Sequence, residues 1–422
     1  MNGRPTLPQH ELRTVGAPSA LDGIKVIDFT QMLSGPYSTQ QLADYGADVV
    51  KIEQPVRGDD SRHYTTTALA GECAFFLSTN RNKRSIVLDL KSDGGREVAL
   101  RLVENADVVI ENFSNGVMER LGLGWDTLSE LNARLIFCAV SGFGRDQPAA
   151  VARRSYDAMA QAGSGLLSLT GEPDRLPMRT TVPIMDTMTA MTATATIMAA
   201  LIARERLGRG QRIEVCLHDV AIASLTMYGM AYLVSGEEFV RSGNRAPQTA
   251  PSDMYAAKDG AFFLTCGNNR LFERLCRDGL GMPELVDDPD FTSNDRRVRN
   301  VERLTGILQG AFATDTRDNW VRRLSACGVP VSPVLTIGEA MASDDVIRRK
   351  NVSQISHPRA GVVPNVRAPF SMSLTPAVDP VAPPLLGQHT TEILTEMGYS
   401  PDDIANLGRA GAFGSVEESV AR

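Results

Sequence analysis

The residues from Val182 to Ala203 read VPIMDTMTAMTATATIMAALIA and contain one charged side chain, Asp186. One interpretation is structural, because an aspartate at the start of a helix accepts a hydrogen bond from a free backbone amide. The other is catalytic, since the dipole and free amides of a helix N-terminus hold a carboxylate ionised. At the mouth of an apolar pocket with little competing water, such a carboxylate can attack an acyl carbon. The local pattern leaves both interpretations open.

A second candidate functional segment precedes Asp186. It covers residues 153–173, RRSYDAMAQAGSGLLSLTGEP. This segment places Tyr156 and Asp157 ahead of a predicted short helix and a glycine-rich turn. Small residues in such a turn let backbone amides approach a ligand. The alternative is an ordinary connection between a loop and a helix.

Basic side chains at strand ends and helix starts form a third set that could meet phosphate groups. For any one of them, plain surface charge is the alternative. The set comprises Arg57, Arg62, Lys83, Arg84, Lys91, Arg120, Arg153 and Arg154.

Alternating strands and helices must position these groups. The predicted strands are 24–30, 48–54, 84–90, 107–113 and 133–144, and the predicted helices include 37–46 and 93–106. This rhythm predicts an α/β fold with a large, Rossmann-like, mostly parallel sheet and a smaller α/β domain. Parallel sheets place ligands beyond the carboxyl ends of their strands. Neither Gly-x-Gly-x-x-Gly nor Gly-x-x-x-x-Gly-Lys-Ser/Thr follows a strand, so a nucleotide ligand must be held in another way.

The domain limits follow from changes in composition along the chain. We expect a disordered arm over 1–20, a large domain over 21–224 and 336–422, and a small domain over 225–335. The stretch opening on Asp186 is apolar enough for a membrane span. Its five threonines and the charges from Arg204 onward favour a buried helix instead.

Composition narrows the class of protein. The net charge of −7, from 43 basic and 50 acidic side chains, gives no support to a nucleic-acid partner. The six cysteines form no Cys-x-x-Cys pair, which predicts reduced core residues and a cytoplasmic location. The five histidines are scattered, so we expect no metal site. The charge balance and the buried-helix interpretation together predict no nucleic-acid or membrane partner.

Several ordered segments together resemble the class III CoA-transferases, a family that includes formyl-CoA:oxalate and carnitine CoA-transferases and the related acyl-CoA racemases. The resemblance runs from Leu21 to about Gly398. It implies two α/β domains, the larger binding CoA, in an interlocked homodimer. It also implies CoA thioesters and small carboxylic acids as substrates, with no tightly bound cofactor. The segments are LDGIKVIDFTQMLSGPYSTQQLADYGADVVKIEQP, NRNKRSIVLDLK, ADVVIENFSNGVMERLGLGWDTLSELNARLIFCAVSGFG, YDAMAQAGSGLLSLTGEP, GRGQRIEVCLHDVAIA, SGNRAPQTAPSDMY, GVPVSPV and PLLGQHT.

The family's functional residues carry over position by position. Its catalytic aspartate heads the long helix after the glycine-rich turn, which corresponds to Asp186. Its contacts with CoA fall on Leu88, Asp89, Leu90, Lys91, Asn112, Phe113, Ser114, Arg120, Arg154 and Tyr156.

Departures from the family's motifs narrow the range of reactions that we expect. Gln54 stands where formyl-CoA transferases have an arginine near the adenine, which Arg57 or Arg62 could replace, and Leu33 stands where they have a glutamine. Their glycine-run lid has no match, which weakens the expectation of a formyl and oxalate pair. Tyr156 stands where the racemases have a histidine, and a phenol is a poor partner for proton transfer at an alpha carbon.

The resemblance therefore favours CoA transfer to a short-chain or dicarboxylic acid through an aspartyl anhydride and an aspartyl-CoA thioester. The alternatives are an alpha-methylacyl-CoA racemase or isomerase, and a CoA-binding protein without catalysis.

Overall fold

The computed structural model describes residues 6–64, 67–146 and 155–414. The chain divides into two compact units. The first consists of Met1–Ser164, Thr180–Gly229 and Asp345–Arg422, and the second of Gly165–Arg179 and Met230–Asp344.

The strands are β1 (Lys25–Asp28), β2 (Asp48–Glu53), β3 (Ala68–Leu69), β4 (Glu72–Cys73), β5 (Lys83–Val87), β6 (Val108–Glu111), β7 (Ile136–Ser141), β8 (Gln211–Cys216), β9 (Ser252–Ala256), β10 (Ala261–Thr265), β11 (Val331–Pro333), β12 (Val352–His357) and β13 (Gly361–Val366).

The α-helices are α1 (Ser34–Asp44), α2 (Ala74–Thr79), α3 (Asp93–Glu104), α4 (Val117–Arg120), α5 (Trp125–Leu131), α6 (Asp157–Gly163), α7 (Ile184–Leu207), α8 (Leu217–Ala223), α9 (Thr226–Ser235), α10 (Asn269–Arg274), α11 (Glu284–Asp287), α12 (Asn294–Arg299), α13 (Val301–Phe312), α14 (Arg317–Ala326), α15 (Ile337–Met341), α16 (Asp344–Arg348), α17 (Thr390–Glu396) and α18 (Pro401–Arg409). Short 3₁₀ segments span Asp60–Arg62 and Leu166–Leu169, and a π-helical turn spans Leu275–Leu280.

A six-stranded parallel sheet in the order β5-β2-β1-β6-β7-β8 forms the centre of the first unit. It confirms the predicted α/β fold with a large parallel sheet. Ile27 pairs with Val50 on one side and Val109 on the other, and all three side chains are buried. Burying each such side chain contributes roughly 1.5–3 kcal/mol. The strand order reverses between β1 and β6, and open sheets of this type bind ligands at that point.

Helix α7 contains the apolar stretch that opens on Asp186. One stripe of it is buried, including Ala190, Ala193 and Ile197, and the helix ends at Gly208, whose φ of 72° suits a glycine. By length and composition this helix could cross a membrane, and 39% of its most apolar window is buried. The core helix of a globular protein passes the same test. β8 follows α7 and pairs with β7, and this strand is not among those predicted from the sequence.

Part of the predicted N-terminal arm is attached to the first unit. The backbone of Gln354 donates to the carbonyl of Pro8 and accepts from the amide of His10. The amide of Arg13 donates to the carboxylate of Asp379 at 2.8 Å.

The second unit has its own core. Its antiparallel sheet, in the order β11-β10-β9, packs with the helices α10 to α14. Tyr255, Phe262 and Trp320 surround the ring of Phe312 with edge-to-face or tilted contacts. The unit therefore has an aromatic core of its own, as an independent domain requires.

A cluster of buried charges lies beneath the loop that follows β1. Lys51 pairs with Asp59 at 2.9 Å and Lys83 with Asp28 at 3.1 Å, and all four side chains are fully buried. The ammonium group of Lys83 also donates to the carbonyl of Pro36 at 2.8 Å. Lys83 thus joins β5 and β1 to the first turn of α1, and Lys51 joins β2 to the carbonyl of Thr30 in the loop.

The pKa values show that these ions stabilise one another. Burial alone would raise the pKa of Asp28, but Lys83 and Lys51 lower it below its ordinary value. Burial lowers the pKa of Lys83 to about 8, with Asp28 acting against this change. Each ion therefore depends on its neighbours to remain charged inside the protein.

Asp28→Asn tests this cluster. The substitution keeps the shape of the side chain but leaves the two lysines without their shared anion, so we expect stability to fall by about 3–5 kcal/mol. The urea midpoint of unfolding measures the loss.

Asp48→Asn is the matched control, because Asp48 pairs with Arg84 on the neighbouring strand and its side chain is 42% exposed. An exposed pair contributes less than about 1 kcal/mol. Equal losses in the two variants would contradict the structural role of the buried cluster.

Candidate active site

Asp186 lies in the first turn of α7, but it does not cap this helix. The helix begins at Ile184, and Pro183 at the N-cap position makes no side-chain capping bond. The carboxylate of Asp157 caps it instead, because its Oδ1 accepts from the amides of Met185 at 2.6 Å and Asp186 at 3.2 Å. The side chain of Asp186 is therefore free of the structural role that its position suggests.

Asp157 is itself held in place. It is the buried first residue of α6, and its Oδ2 accepts from the side-chain amide of Gln161 at 2.5 Å. The Oε1 of Gln161 accepts from the backbone amide of Thr180 at 3.0 Å. This chain of bonds ties α6 to the segment that leads into α7.

The carboxylate of Asp186 accepts a hydrogen bond from Ser34, whose Oγ lies 2.5 Å from Oδ1. Ser34 is the first residue of α1 and is 5% exposed. Farther along the same two helices, Ser38 Oγ lies 3.0 Å from Thr194 Oγ1. The hydroxyl and the carboxylate therefore meet where α1 packs against α7.

Burial raises the pKa of Asp186 to about 6; the hydrogen bond from Ser34 opposes this rise and the negative charge of Asp157 adds to it. From the sequence alone, the dipole and free amides of the helix are expected to hold this carboxylate ionised. In the structure Asp157 occupies those amides, so burial dominates. At pH 7 about nine molecules in ten still carry the anion. A half-buried anion of raised basicity is suited to attack an acyl carbon.

The loop between β1 and α1 leads directly into Ser34 and is fixed from two sides. The side-chain amide of Asn112, just after β6, donates to the carbonyl of Gln31 at 2.8 Å and accepts from its amide at 2.9 Å. The amide of Met32 donates to Asp59 at 3.0 Å. These bonds join the loops on either side of the point where the strand order reverses.

The predicted CoA residues of the segment 88–91 follow the carboxyl end of β5. Leu88 is buried, Asp89 and Leu90 are half-buried, and Lys91 is exposed. The amide of Asp89 donates to the carbonyl of Ala412 at 2.7 Å, which attaches this segment to the C-terminal part of the first unit.

A second group of predicted CoA residues follows β6. Asn112 engages Gln31, and the half-buried ring of Phe113 packs on the main core. Ser114 is exposed, as is Arg120 at the end of α4. In the part of the chain that the structure describes, Lys91 and Arg120 form no ion pair, so both cations are free to meet an anion.

Two further predictions concern the segment around Tyr156. The side chain of Tyr156 is 61% exposed and precedes α6 at its N-cap position. Arg154 lies outside the described residues.

Other predicted phosphate partners are already paired. Arg62 binds Glu53 at 2.7 Å, and its guanidinium lies 3.6 Å from the centre of the Phe76 ring. Lys83 belongs to the buried cluster, and Arg84 binds Asp48 at 2.7 Å. Arg57 also lies 3.7 Å from the carboxylate of Asp60, but this pair is exposed, so Arg57 is the better placed of the two arginines considered as replacements near Gln54.

Both groups of predicted CoA residues lie at one edge of the sheet. β5 and β6 are separated by β2 and β1. Three strand spacings amount to roughly 14 Å. A ligand that contacts both groups must therefore be long.

Within residues 6–64, 67–146 and 155–414, no three His, Cys, Asp or Glu side chains are grouped as metal ligands would be.

Sequence reasoning identified Asp186 but missed its two polar partners. The sequence makes Asp157 a candidate beside Tyr156 without linking it to Asp186, and it gives no sign of a role for Ser34. No local signal gives either contact, because Ser34 is 152 positions from Asp186 along the chain.

Comparison with known proteins concerns the whole chain. Residues 21–390 match the sequence profile of CoA-transferase family III. An acyl-CoA transferase of Fusarium pseudograminearum is 39% identical over 407 residues, covering 93% of this chain and 88% of that protein. The succinate–glutarate CoA-transferase of Agrobacterium fabrum is 39% identical over 388 residues, covering 89% and 95%.

A solved structure has the same fold. The crystal structure of a CaiB/BaiF family protein from Brucella suis superposes with a TM-score of 0.82 at 37% identity, covering 90% of this chain and 100% of that one. The resemblance seen in the sequence motifs is confirmed.

Asp186→Asn should stabilise the protein at neutral pH. Because the folded-state pKa of Asp186 is raised to about 6 from 3.8, folding disfavours its ionised form. The stabilisation should be absent below about pH 4, grow between pH 4 and pH 6, and reach at most about 3 kcal/mol above that range. Urea unfolding of both proteins across this range measures it. A variant that is less stable than the natural chain at pH 8 would contradict the assignment.

Proposed function

The chain belongs to CoA-transferase family III, and from this premise we propose that Asp186 carries the acyl group and then CoA during transfer between two acids. The enzyme exchanges CoA between an acyl-CoA thioester and a carboxylate. The observation that supports the proposed role is the half-buried carboxylate of Asp186, which is relieved of capping by Asp157 and held by Ser34.

In the first half of the reaction, the Oδ2 of Asp186 attacks the carbonyl carbon of the donor thioester. The carbon–sulfur bond breaks, CoA leaves as a thiolate, and a mixed anhydride remains. The thiolate then attacks Cγ of Asp186. The bond between Cγ and Oδ2 breaks, and the donor acid departs with that oxygen and its electron pair. The product is an aspartyl-CoA thioester.

The second half reverses these steps with a new acid. The acceptor carboxylate attacks Cγ of the aspartyl thioester and forms a second anhydride. The CoA thiolate is the leaving group of this step. The thiolate then attacks the acceptor's acyl carbon and releases the new thioester. The bridging oxygen stays on Asp186, so one oxygen atom of the acceptor enters the protein. One thioester is consumed for each thioester that is formed, so the transfer requires no ATP.

A carboxylate is a weak nucleophile, so the site must position it and exclude water. The partial burial of Asp186 serves both purposes. Water that reached the anhydride would hydrolyse it and waste the acyl group.

We assign CoA binding to the two groups of residues at the sheet edge, together with Arg154 and Tyr156. Lys91 and Arg120 are exposed cations suited to phosphate groups. The strands that precede the two groups, β5 and β6, are three strand spacings or roughly 14 Å apart, which suits a ligand as long as CoA.

For the acids, we propose short-chain or dicarboxylic substrates. A relative named for succinate and glutarate, 39% identical to this chain, supports this class. Tyr156 in place of a histidine argues against racemisation, because a phenol is a poor base near neutral pH.

We also propose that the protein is an interlocked homodimer. The apolar helix α9 has no buried residue, and Met230, Leu233 and Val234 on it are 61%, 77% and 80% exposed. An apolar surface of this kind is usually covered by a partner. The family resemblance of the sequence motifs implies a second copy of the chain, which we propose as the partner.

Oxygen transfer into Asp186 tests the reaction directly. With an acceptor acid labelled with ¹⁸O, such as glutarate, and succinyl-CoA as donor, a single turnover should place one ¹⁸O atom in the peptide that contains Asp186. Mass spectrometry of that peptide reads the result. Asp186→Ala should abolish transfer while CoA still binds.

Asp126→Ala is the matched control, because Asp126 is an exposed aspartate in the first turn of α5. It should retain full activity and the label. A turnover that leaves Asp186 unlabelled would refute the covalent role. Exchange of the alpha hydrogen in D₂O without an acceptor would indicate a racemase.

Analytical ultracentrifugation tests the assembly. The natural chain should sediment at twice the monomer mass, and Leu233→Glu should weaken association at least tenfold, because a carboxylate is costly to bury in an apolar interface. Leu131→Glu on α5, also at an exposed leucine, should leave the dimer intact. A monomeric natural chain at micromolar concentration would overturn the proposal.

A further inference from the structure

Ser34 contacts the atom on which negative charge develops in the proposed reaction. Its hydroxyl donates to Oδ1 of Asp186 at 2.5 Å. Among the described residues, this hydroxyl is the one hydrogen-bond donor to the Asp186 side chain. The other oxygen, Oδ2, has no such partner there and is the one available for attack.

Every step at Cγ of Asp186 places charge on Oδ1. When a thiolate attacks Cγ of the anhydride, or a carboxylate attacks Cγ of the thioester, the carbon becomes tetrahedral. The π-electron pair moves onto Oδ1 and returns when the leaving group departs. A donor already aimed at Oδ1 stabilises this transient anion.

We propose that Ser34 is a catalytic residue that stabilises the oxyanion formed on the aspartyl carbonyl in both halves of the reaction. The proposal rests on the function assigned to Asp186 above. Ser34 keeps its proton throughout, and the hydrogen bond strengthens as charge builds up on Oδ1. No base or further reactant is needed for this role.

The surroundings of Ser34 hold its hydroxyl in place before the reaction. Gln31, three residues earlier, is fixed by Asn112, and Met32 is fixed by Asp59. Gly35, which follows Ser34, is packed so closely on Thr30 that a Cβ there would lie 2.3 Å from the Thr30 Cβ. A donor fixed in this way stabilises charge without the cost of reorganising during the reaction.

The same bond acts on the resting enzyme. It lowers the pKa of Asp186 against the effect of burial, while the negative charge of Asp157 raises it. Removing the hydroxyl should therefore move the acid limb of the pH–rate profile to higher pH. A purely structural serine would leave that limb unchanged.

Ser34→Ala tests the proposal, with Ser38→Ala as the matched control. Ser38 lies one turn farther along α1, is buried and bonds Thr194 away from the carboxylate. For Ser34→Ala we expect kcat to fall by about 10- to 100-fold, with KM for the thioester within about twofold. The midpoint of its acid limb should rise above about pH 6. Ser38→Ala should change neither quantity.

Thermal unfolding of both variants confirms that each is folded, and the ¹⁸O experiment separates two kinds of failure. A Ser34→Ala enzyme with unchanged kcat that still places ¹⁸O in Asp186 overturns the role of Ser34 alone. A natural enzyme that places no ¹⁸O in Asp186 overturns the proposed function. Equal losses of kcat in the two serine variants would show that Ser34 matters through helix packing, which also overturns the proposal.

Discussion

The site depends on the carboxylate of Asp157, which binds the free amides at the start of α7. A helix that begins in a half-buried position must satisfy its first backbone N–H groups. If Asp186 did so itself, both its charge and its oxygens would be committed to the backbone. Because Asp157 supplies that bond from a different helix, the carboxylate of Asp186 can turn toward Ser34. The position that looks like a helix cap thereby becomes available for chemistry.

The second requirement is a rigid loop after β1. Two kinds of contact converge on it: the Asn112 amide across the sheet and the buried ions beneath it. The ions cost free energy to bury, and replacing such pairs by apolar side chains is often neutral or stabilising. Here the buried lysines bond both to carboxylates of the sheet and to carbonyls of the loop and the first turn of α1. They therefore fix the position of the serine as well as contributing to stability.

Much of the fold could be predicted from the sequence. The central parallel sheet follows from apolar runs separated by amphipathic segments, and the strands around β1, β2 and β7 were found within a few residues. β8 was missed because QRIEVC is short and carries two charges. Asp186 stood out because it is a lone charge in an apolar helix. Its partners could not be found, because contacts over 152 and 29 positions depend on how helices pack, which no local pattern encodes.

The burial of Asp186 also affects the relative energies of the states along the reaction. The apolar surroundings and the neighbouring carboxylate that raise its pKa act only against its negative charge. An anhydride or a thioester on the same side chain is neutral, so acylation removes both penalties at once. In the reaction proposed above, burial and the charge of Asp157 would therefore disfavour the resting anion, whereas neither would disfavour the neutral covalent adducts. Such a site lowers the thermodynamic barrier to loading the enzyme and evens out the energies of successive intermediates.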